Sequence, residues 1–447
     1  MIKNLIKNTV ENKKNTLAGI LIFGFIIRTV YAIFAFRKNV MATYSDDVGY
    51  WDFAKNVISQ GFFVMNVDLL EPTAKIVGPG IAWIDAVSIL IFGETWLPIF
   101  IINCFVSTAT IYIIYRITKE LTGSEIASIV SAFMSSIYIY FIKYIPTSGK
   151  EVWMAFFFAI VFYMILQLRH RRAHYILYTI LLSFLFTYFI HLDERYLAYV
   201  PLFAIFIYIL DKSGKSIRFK KALLFCVFVI VFMTPWLVRN YLVYHRPIIV
   251  TLRTAAVTDK LFGLPKQEYW DEGTGGSRWY LTQGEIDSVI AGTRSTAHLG
   301  MPLLQDQIDA MRAGFLPHQF TFGETMWNSF KALWQPIDLI KYNYVQDGYR
   351  LDHVPSFKNN LSVFLTYGIM LIFAFVAMFS LRKSESKVFY FLICIFVLHT
   401  FIHVVLIPFT EYRYRIPIDS TIIALGSFGI VIFVNYLSNK RKRKATA

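Results

Sequence analysis

The chain has 447 residues, 56% hydrophobic and only 16% charged, which is too apolar for a soluble protein of this size. Its formal charge of +15 invites a nucleic-acid reading, but the placement of that charge argues against one. Six short segments (1–15, 116–125, 168–175, 211–221, 382–387 and 440–447) hold 22 of the 44 Lys and Arg and only 5 of the 29 Asp and Glu, leaving the rest of the chain nearly neutral. This is the positive-inside pattern of a multi-spanning membrane protein, so membrane lipid is an expected partner and nucleic acid is not. The three cysteines, Cys104, Cys226 and Cys394, lie in apolar runs and read as small buried hydrophobes, neither a disulfide set nor a metal site.

In chain order, Lys3, Lys7, Lys13 and Lys14 precede an apolar run too long for the core of a cleavable signal peptide, so that run is read as a first span. Ten spans are predicted: 16–37, 97–115, 126–145, 152–168, 174–190, 196–210, 222–238, 361–381, 388–407 and 416–437. The fold class is therefore all-α and polytopic, in an inner or plasma membrane. The N-terminus, the KRKRK tail and four basic loops share the cytoplasmic side.

After the first span comes YSDDVGYWDFAKNVISQGFF, residues 44–63. Its mixed polar and aromatic pattern predicts a juxtamembrane helix, 45–60, lying on the outer membrane surface, with Asp46 and Asp47 at its start and Gly61 as its stop. Two readings of the acid pair stand. Acids at a helix N-terminus complement the exposed N–H groups, or they do chemistry. Residues 80–93 form a second outer helix: the apolar run 81–92 contains Asp85, and at about 1.5 Å per residue it is too short for a core of about 30 Å.

The span 196–210 is also short, about 22 Å as a helix, so the HLDER turn (191–195) before it is expected below the outer surface. Either Asp193, Glu194 and Arg195 line a polar pocket there, or Asp193 and Arg195 form a closed pair. Residues 240–358 carry 11 bases, 12 acids and Trp270, Trp279, Trp327 and Trp334, which predicts a folded extracytoplasmic loop domain with a turn or hinge at GTGGS, 273–277. The chain divides into a transmembrane module 1–239, the loop domain 240–358, and C-terminal helices with a basic tail, 359–447. It has no internal repeats.

Several polar groups stand out. Arg28 lies mid-span and is expected to pair with a buried acid such as Asp85. Glu151 follows TSGK at the start of a span, as a helix N-terminal acid or as a second carboxylate beside Asp46. His399 and His403 share a helix face, read as an interior hydrogen-bonded pair, with His403 within reach of a substrate; no third zinc-type ligand is near. Arg239, Arg413 and Arg415, the last two beside Glu411 in EYRYR, suit the oxygens of a lipid phosphate, although each alone also suits interfacial anchoring.

The ordered set resembles the GT-C membrane glycosyltransferases, in their protein-mannosyltransferase-like and aminoarabinose-transferase-like branch. The matching features are Asp46 and Asp47 with Tyr50 and Ala54 after a first span, Gly-Pro-Gly at 78–80, Glu151 after the third span, Pro235-Trp236 with Arg239-Asn240, and Arg413-Tyr414-Arg415 with Pro417. The resemblance implies transfer of a sugar from a polyprenyl-phosphate donor on the outer face to a glycan, lipid or protein acceptor. It implies Asp46 as base, Glu151 as second acid, Lys75 as a phosphate contact, and Tyr50, Arg195, Arg239, His403, Glu411, Arg413 and Arg415 around the substrates. No cofactor is assigned, and a divalent metal is left open. The rival readings are an O-antigen-type polymerase or ligase and a transporter of lipid-linked sugar.

Overall fold

A computed structural model describes residues 12–38, 45–66, 78–171, 173–245, 248–251, 291, 322–336, 357–406 and 412–446. Most of the expected loop domain, including GTGGS, Trp270 and Trp279, lies outside these residues, as do Lys75 and Glu411. Eight helices are long and apolar enough to cross a membrane: Lys13–Arg37, Trp96–Thr122, Glu151–Leu168, Tyr175–Leu192, Lys215–Tyr244, Asn360–Ser384, Ser386–Val405 and Arg413–Lys440. The chain is a multi-pass membrane protein, and the described residues contain no strand.

The elements run α1 (Lys13–Arg37), α2 (Ser45–Gln60), α3 (Gly80–Phe92), α4 (Trp96–Thr122), α5 (Glu125–Ser136), α6 (Ile139–Lys143), α7 (Glu151–Leu168) and α8 (Tyr175–Leu192). A 3-10 turn, Glu194–Ala198, leads to α9 (Tyr199–Leu210) and α10 (Lys215–Tyr244). Then come α11 (Phe322–Trp334), α12 (Phe357–Val363), α13 (Ile369–Ser384), α14 (Ser386–Thr400) and α15 (Ile416–Thr446). One π turn, Phe364–Gly368, joins α12 to α13; another, Phe401–Leu406, follows α14.

Two expected spans are shorter than predicted. Residues 126–145 break into α5 and α6, and the cause is Arg28. Its Nη2 and Nη1 donate to the carbonyls of Ser135 (3.0 Å) and Ser136 (2.9 Å), its Nη1 also to Gly24 O (3.0 Å), and its Nε to Ser107 Oγ (2.8 Å). The last carbonyls of a helix have no partner inside it and carry the negative end of its dipole, so a guanidinium there ends α5 inside the bundle. Arg28 thus pairs with a helix terminus and not with Asp85. The stretch 196–210 divides into the 3-10 turn and the 12-residue α9, about 18 Å long.

Packing follows small residues. α15 lies on α13, α5 and α7, and α4 lies on α7, α5 and α1. A Cβ on Gly426 would fall 2.5 Å from Met370 O, and one on Gly429 would fall 1.9 Å from Phe373 O, so α13 and α15 touch backbone to backbone. The same device seats α3. A Cβ on Gly78 would fall 1.9 Å from His191 O and one on Gly80 2.9 Å from Leu192 N, while the Tyr188 hydroxyl donates to Gly80 O at 2.7 Å. That close approach explains the glycines of Gly-Pro-Gly.

α3 in turn packs on α2. Beyond α2, Trp83 Nε1 donates to Phe62 O at 3.1 Å and its ring stacks on Phe62 at 4.1 Å. Arg239 of α10 donates to Phe63 O at 2.7 Å and to Val64 O. Val64 sits at φ 43°, an unusual conformation for a β-branched residue, held by these bonds.

Candidate active site

Asp47, in the first turn of α2, and Glu151, the first residue of α7, are both buried and close on one glycine. A Cβ on Gly149 would lie 2.5 Å from Glu151 Oε2, 3.2 Å from Thr147 Oγ1 and 3.4 Å from Asp47 Oδ1. A side chain at 149 would crowd the Glu151 carboxylate from the place it takes beside Asp47. The turn carrying Gly149 is fixed from two helices. Asn103 of α4 donates from Nδ2 to Ile145 O (3.1 Å) and Thr147 O (2.9 Å), and its Oδ1 accepts from Trp153 Nε1 (3.0 Å). From α3, the Asp85 carboxyl binds the Ser148 hydroxyl. Asp46 lies in the same first turn of α2, and its side chain falls outside the described residues.

Cations surround this pair. Arg413 Nη1 stands 3.7 Å from Glu151 Oε1. Beside it, the Tyr414 ring carries Arg195 Cζ at 4.1 Å and Arg413 Cζ at 5.4 Å from its centroid, and His403 stacks on it at 5.3 Å and 10°. Arg195 also binds both oxygens of Asp193, which accepts a further bond from Lys150 Nζ at 2.7 Å. Burial alone would raise the Asp193 carboxyl, but Arg195 and Lys150 hold it well below the usual carboxylate range. The HLDER turn is therefore a closed Asp–Arg pair, and Lys150, next to Glu151 in sequence, joins it to the carboxylates. His403 is buried, its Nδ1 3.4 Å from Arg195 Nη1. His399 donates from Nε2 to Tyr414 O (3.0 Å), so its Nδ1 accepts from the Tyr199 hydroxyl (2.9 Å). The two histidines are an interior pair that braces Tyr414.

Two of the three expected phosphate arginines are occupied elsewhere. Arg415 is fully buried: its Nε donates to Asp419 Oδ1 (2.8 Å), its Nη1 to Leu333 O (2.7 Å), and its guanidinium lies 3.4 Å from the Tyr367 ring centroid. It fastens α11 to α15. Arg239 is spent on Phe63, Val64 and Asn240 Oδ1 (2.8 Å), so it clamps the end of α2 to α10. Tyr50 is buried in the main hydrophobic core. The site thus gathers Asp47, Glu151, Arg195, His403 and Arg413, while Arg239, Arg415 and Tyr50 hold its surroundings.

Sequence reasoning passed over Asn103, Ser148, Gly149 and Tyr414 as working parts and gave Asp85 to Arg28. A polar residue inside an apolar run, such as Asn103, was the available signal. Among the described residues no three His, Cys, Asp or Glu side chains converge as metal ligands would.

Residues 76–238, from the entry to α3 nearly to the end of α10, match the family described as dolichyl-phosphate-mannose-protein mannosyltransferase. The chain superposes on the apo oligosaccharyltransferase of Archaeoglobus fulgidus with a TM-score of 0.54 at 13% identity, covering 96% of this chain and 52% of that one. Against AglB of the same organism, solved with an inhibitory peptide and a dolichol-phosphate, the TM-score is 0.56 at 12% identity, with 97% and 52% covered. The chain thus shares the fold of these archaeal membrane enzymes, and its residues 76–238 carry the family match. ArnT of Cupriavidus metallidurans, solved with undecaprenyl phosphate, gives a looser superposition, with a TM-score of 0.40 at 14% identity over 93% and 77% of the two chains. No curated protein matches the chain, which spans about half the length of the archaeal oligosaccharyltransferases.

Proposed function

We propose that this protein is a GT-C glycosyltransferase that transfers a sugar from a polyprenyl-phosphate donor to an extracytoplasmic glycan, lipid or protein acceptor, in a single displacement that inverts the anomeric centre. The observation that carries the reading is the meeting of Asp47 and Glu151 at Gly149, with Arg413 3.7 Å from Glu151. Acids and cations converge at one end of a membrane bundle, as the chemistry requires. The fold and the family match over residues 76–238 support the same class of reaction.

In the proposed step the acceptor hydroxyl oxygen attacks the anomeric carbon while the bond from that carbon to the phosphate oxygen breaks. The hydroxyl proton passes to a carboxylate of the α2 acid pair, and the bonding electrons leave with the lipid phosphate. We assign the base to Asp47, whose Oδ1 stands near Gly149 opposite Glu151; Asp46, the base that the resemblance implies, is its neighbour in the same turn and is the alternative. Glu151 orients the acceptor and keeps Arg413 in place. Arg413, with Lys150 and Arg195 behind it, offsets the charge growing on the departing phosphate. The N- and C-termini are cytoplasmic and the site is extracytoplasmic, following the distribution of bases.

The test is mass spectrometry of surface glycans and glycolipids from wild type, a gene deletion, Asp47→Asn and Asp46→Asn, with membrane levels matched. The deletion and Asp47→Asn are expected to lose the same sugar. If only Asp46→Asn reproduces the deletion, the base is its neighbour. If both substitutions keep the sugar, the transferase reading of this site is wrong. A transporter would still deliver lipid-linked sugar in either variant.

A further inference from the structure

One buried acid has no part in the reaction just described. Asp85 is fully enclosed on α3, a 13-residue helix of about 20 Å, well under the thickness of a hydrocarbon core. One carboxyl oxygen binds the Ser148 hydroxyl. The other, Oδ1, is buried with no hydrogen-bond partner among the described residues. An enclosed carboxyl left half satisfied costs stability and needs a compensating role.

Its position supplies one. α3 packs on α2, which carries Asp47, and is pinned at its start to the backbone of α8 through Gly78 and Gly80. Ser148 precedes Gly149, the glycine on which Asp47 and Glu151 close, and lies three residues before Glu151. The Asp85–Ser148 bond is thus a direct side-chain tie between the layer bearing the first carboxylate and the turn bearing the second. Asn103 holds the same segment from α4, through Ile145, Thr147 and Trp153, and Asp85 adds the tie from α3 at Ser148.

We propose that Asp85 is a positioning residue for the carboxylate pair: from α3 it holds Ser148 and so sets the separation of Asp47 from Glu151. The inference rests on the transferase reading above and gives the short helix α3 its task, that of a spacer between two carboxylates about a hundred residues apart in sequence. A misplacement of about 1 Å at a reacting pair costs up to about a hundredfold in rate.

The experiment measures the sugar product by mass spectrometry in cells carrying the full-length protein, together with its membrane level and its thermal midpoint in detergent. The variants are Asp85→Asn, Asp85→Ala, Ser148→Ala and the Asp85→Ala/Ser148→Ala double, with Asp47→Asn as reference. Asp85→Asn keeps an acceptor for Ser148 and is expected within about threefold of wild type. Asp85→Ala and Ser148→Ala should each lower product per folded molecule by about ten- to a hundredfold. The double variant should fall no further, because both remove one tie. Product at the wild-type level in Asp85→Ala, multiplying effects in the double, or Asp85→Asn as inactive as Asp47→Asn would each overturn the proposal. If Asp85→Ala does not accumulate, Ser148→Ala decides: loss of product at an unchanged melting point supports the tie, and retention refutes it. If Asp47→Asn keeps the sugar, the site reading has failed. If Asp47→Asn loses it and both alanine variants keep it, only the role of Asp85 has failed.

Discussion

The two ends of the bundle handle charge differently. At the Asp211 end, Lys221 Nζ donates to Asp211, to Leu168 O at 3.0 Å and to Arg171 O at 2.6 Å, which uses all three of its donors. Glu120 there is held by Arg169 Nη2 at 3.0 Å and Gln167 Nε2 at 2.6 Å. At the Asp47 end, Arg413 faces Glu151 across 3.7 Å, longer than a hydrogen bond, with its side chain 24% exposed. The first arrangement is complete in itself and ties loops together. The second sets a partly exposed arginine beside a buried carboxylate. Charge on a membrane protein is read as function by default, but here the geometry of each pair separates fastening from chemistry.

The largest effect that would sharpen this contrast is expected at Gly149. An added methyl, Gly149→Ala, lands 2.5 Å from Glu151 Oε2 and must displace it, lowering sugar product by about a hundredfold or more while the protein still accumulates. Wild-type product would show that the two carboxylates need no fixed spacing. At the other end, Lys221→Met leaves Asp211 buried and unpaired, which costs about 3–5 kcal/mol. The thermal midpoint should drop while product per folded molecule holds; a loss of product at an unchanged midpoint would break the distinction between the ends.

Arg413 and Arg415 repeat the contrast two residues apart. Arg413→Gln removes the cation beside Glu151 and should cost roughly ten- to a hundredfold in product with little change in melting. Arg415→Gln should act first on melting, since it takes the cation from buried Asp419 and leaves it only the Tyr138 hydroxyl bond. The smallest effect is in pH. Burial raises the Asp85 carboxyl to about 8, against the opposing bond from Ser148. Between about pH 4 and pH 8 the folded chain therefore keeps a proton that the unfolded chain has lost, and stability from this group declines as pH rises through that window. Thermal midpoints at pH 5 and pH 8 should differ less in Asp85→Asn than in wild type.

The long spans were legible because a lipid-facing helix needs an unbroken apolar run, and such runs stand out in a chain with 16% charge. The break after Ser136 was not, because Arg28 binds backbone carbonyls, and no residue type advertises the end of a helix inside a bundle. Arg415 and Asp419 stand four apart, a spacing that does announce a pair on one helical face; the attraction of an arginine cluster for phosphate hid it. Asp47 and Glu151 were each visible as helix-start acids. Their meeting depends on α3, α4 and one glycine, which is tertiary information. The loop domain expected for 240–358 falls mostly outside the described residues, so the reading of that region stays where the sequence left it.

The seat of α3 also imposes an order on assembly. Gly78 and Gly80 rest against the backbone of His191 and Leu192, more than a hundred residues later in the chain. In a protein built from its N-terminus, α2 and α3 are made early, but the backbone seat at the start of α3 is complete only once α8 has been inserted. The ribosome adds about 5–20 residues per second, so that interval lasts roughly five to twenty-five seconds. During it α3, the helix that carries Asp85, lacks its seat on α8, the fourth of the long helices, and Arg413 joins Glu151 later still.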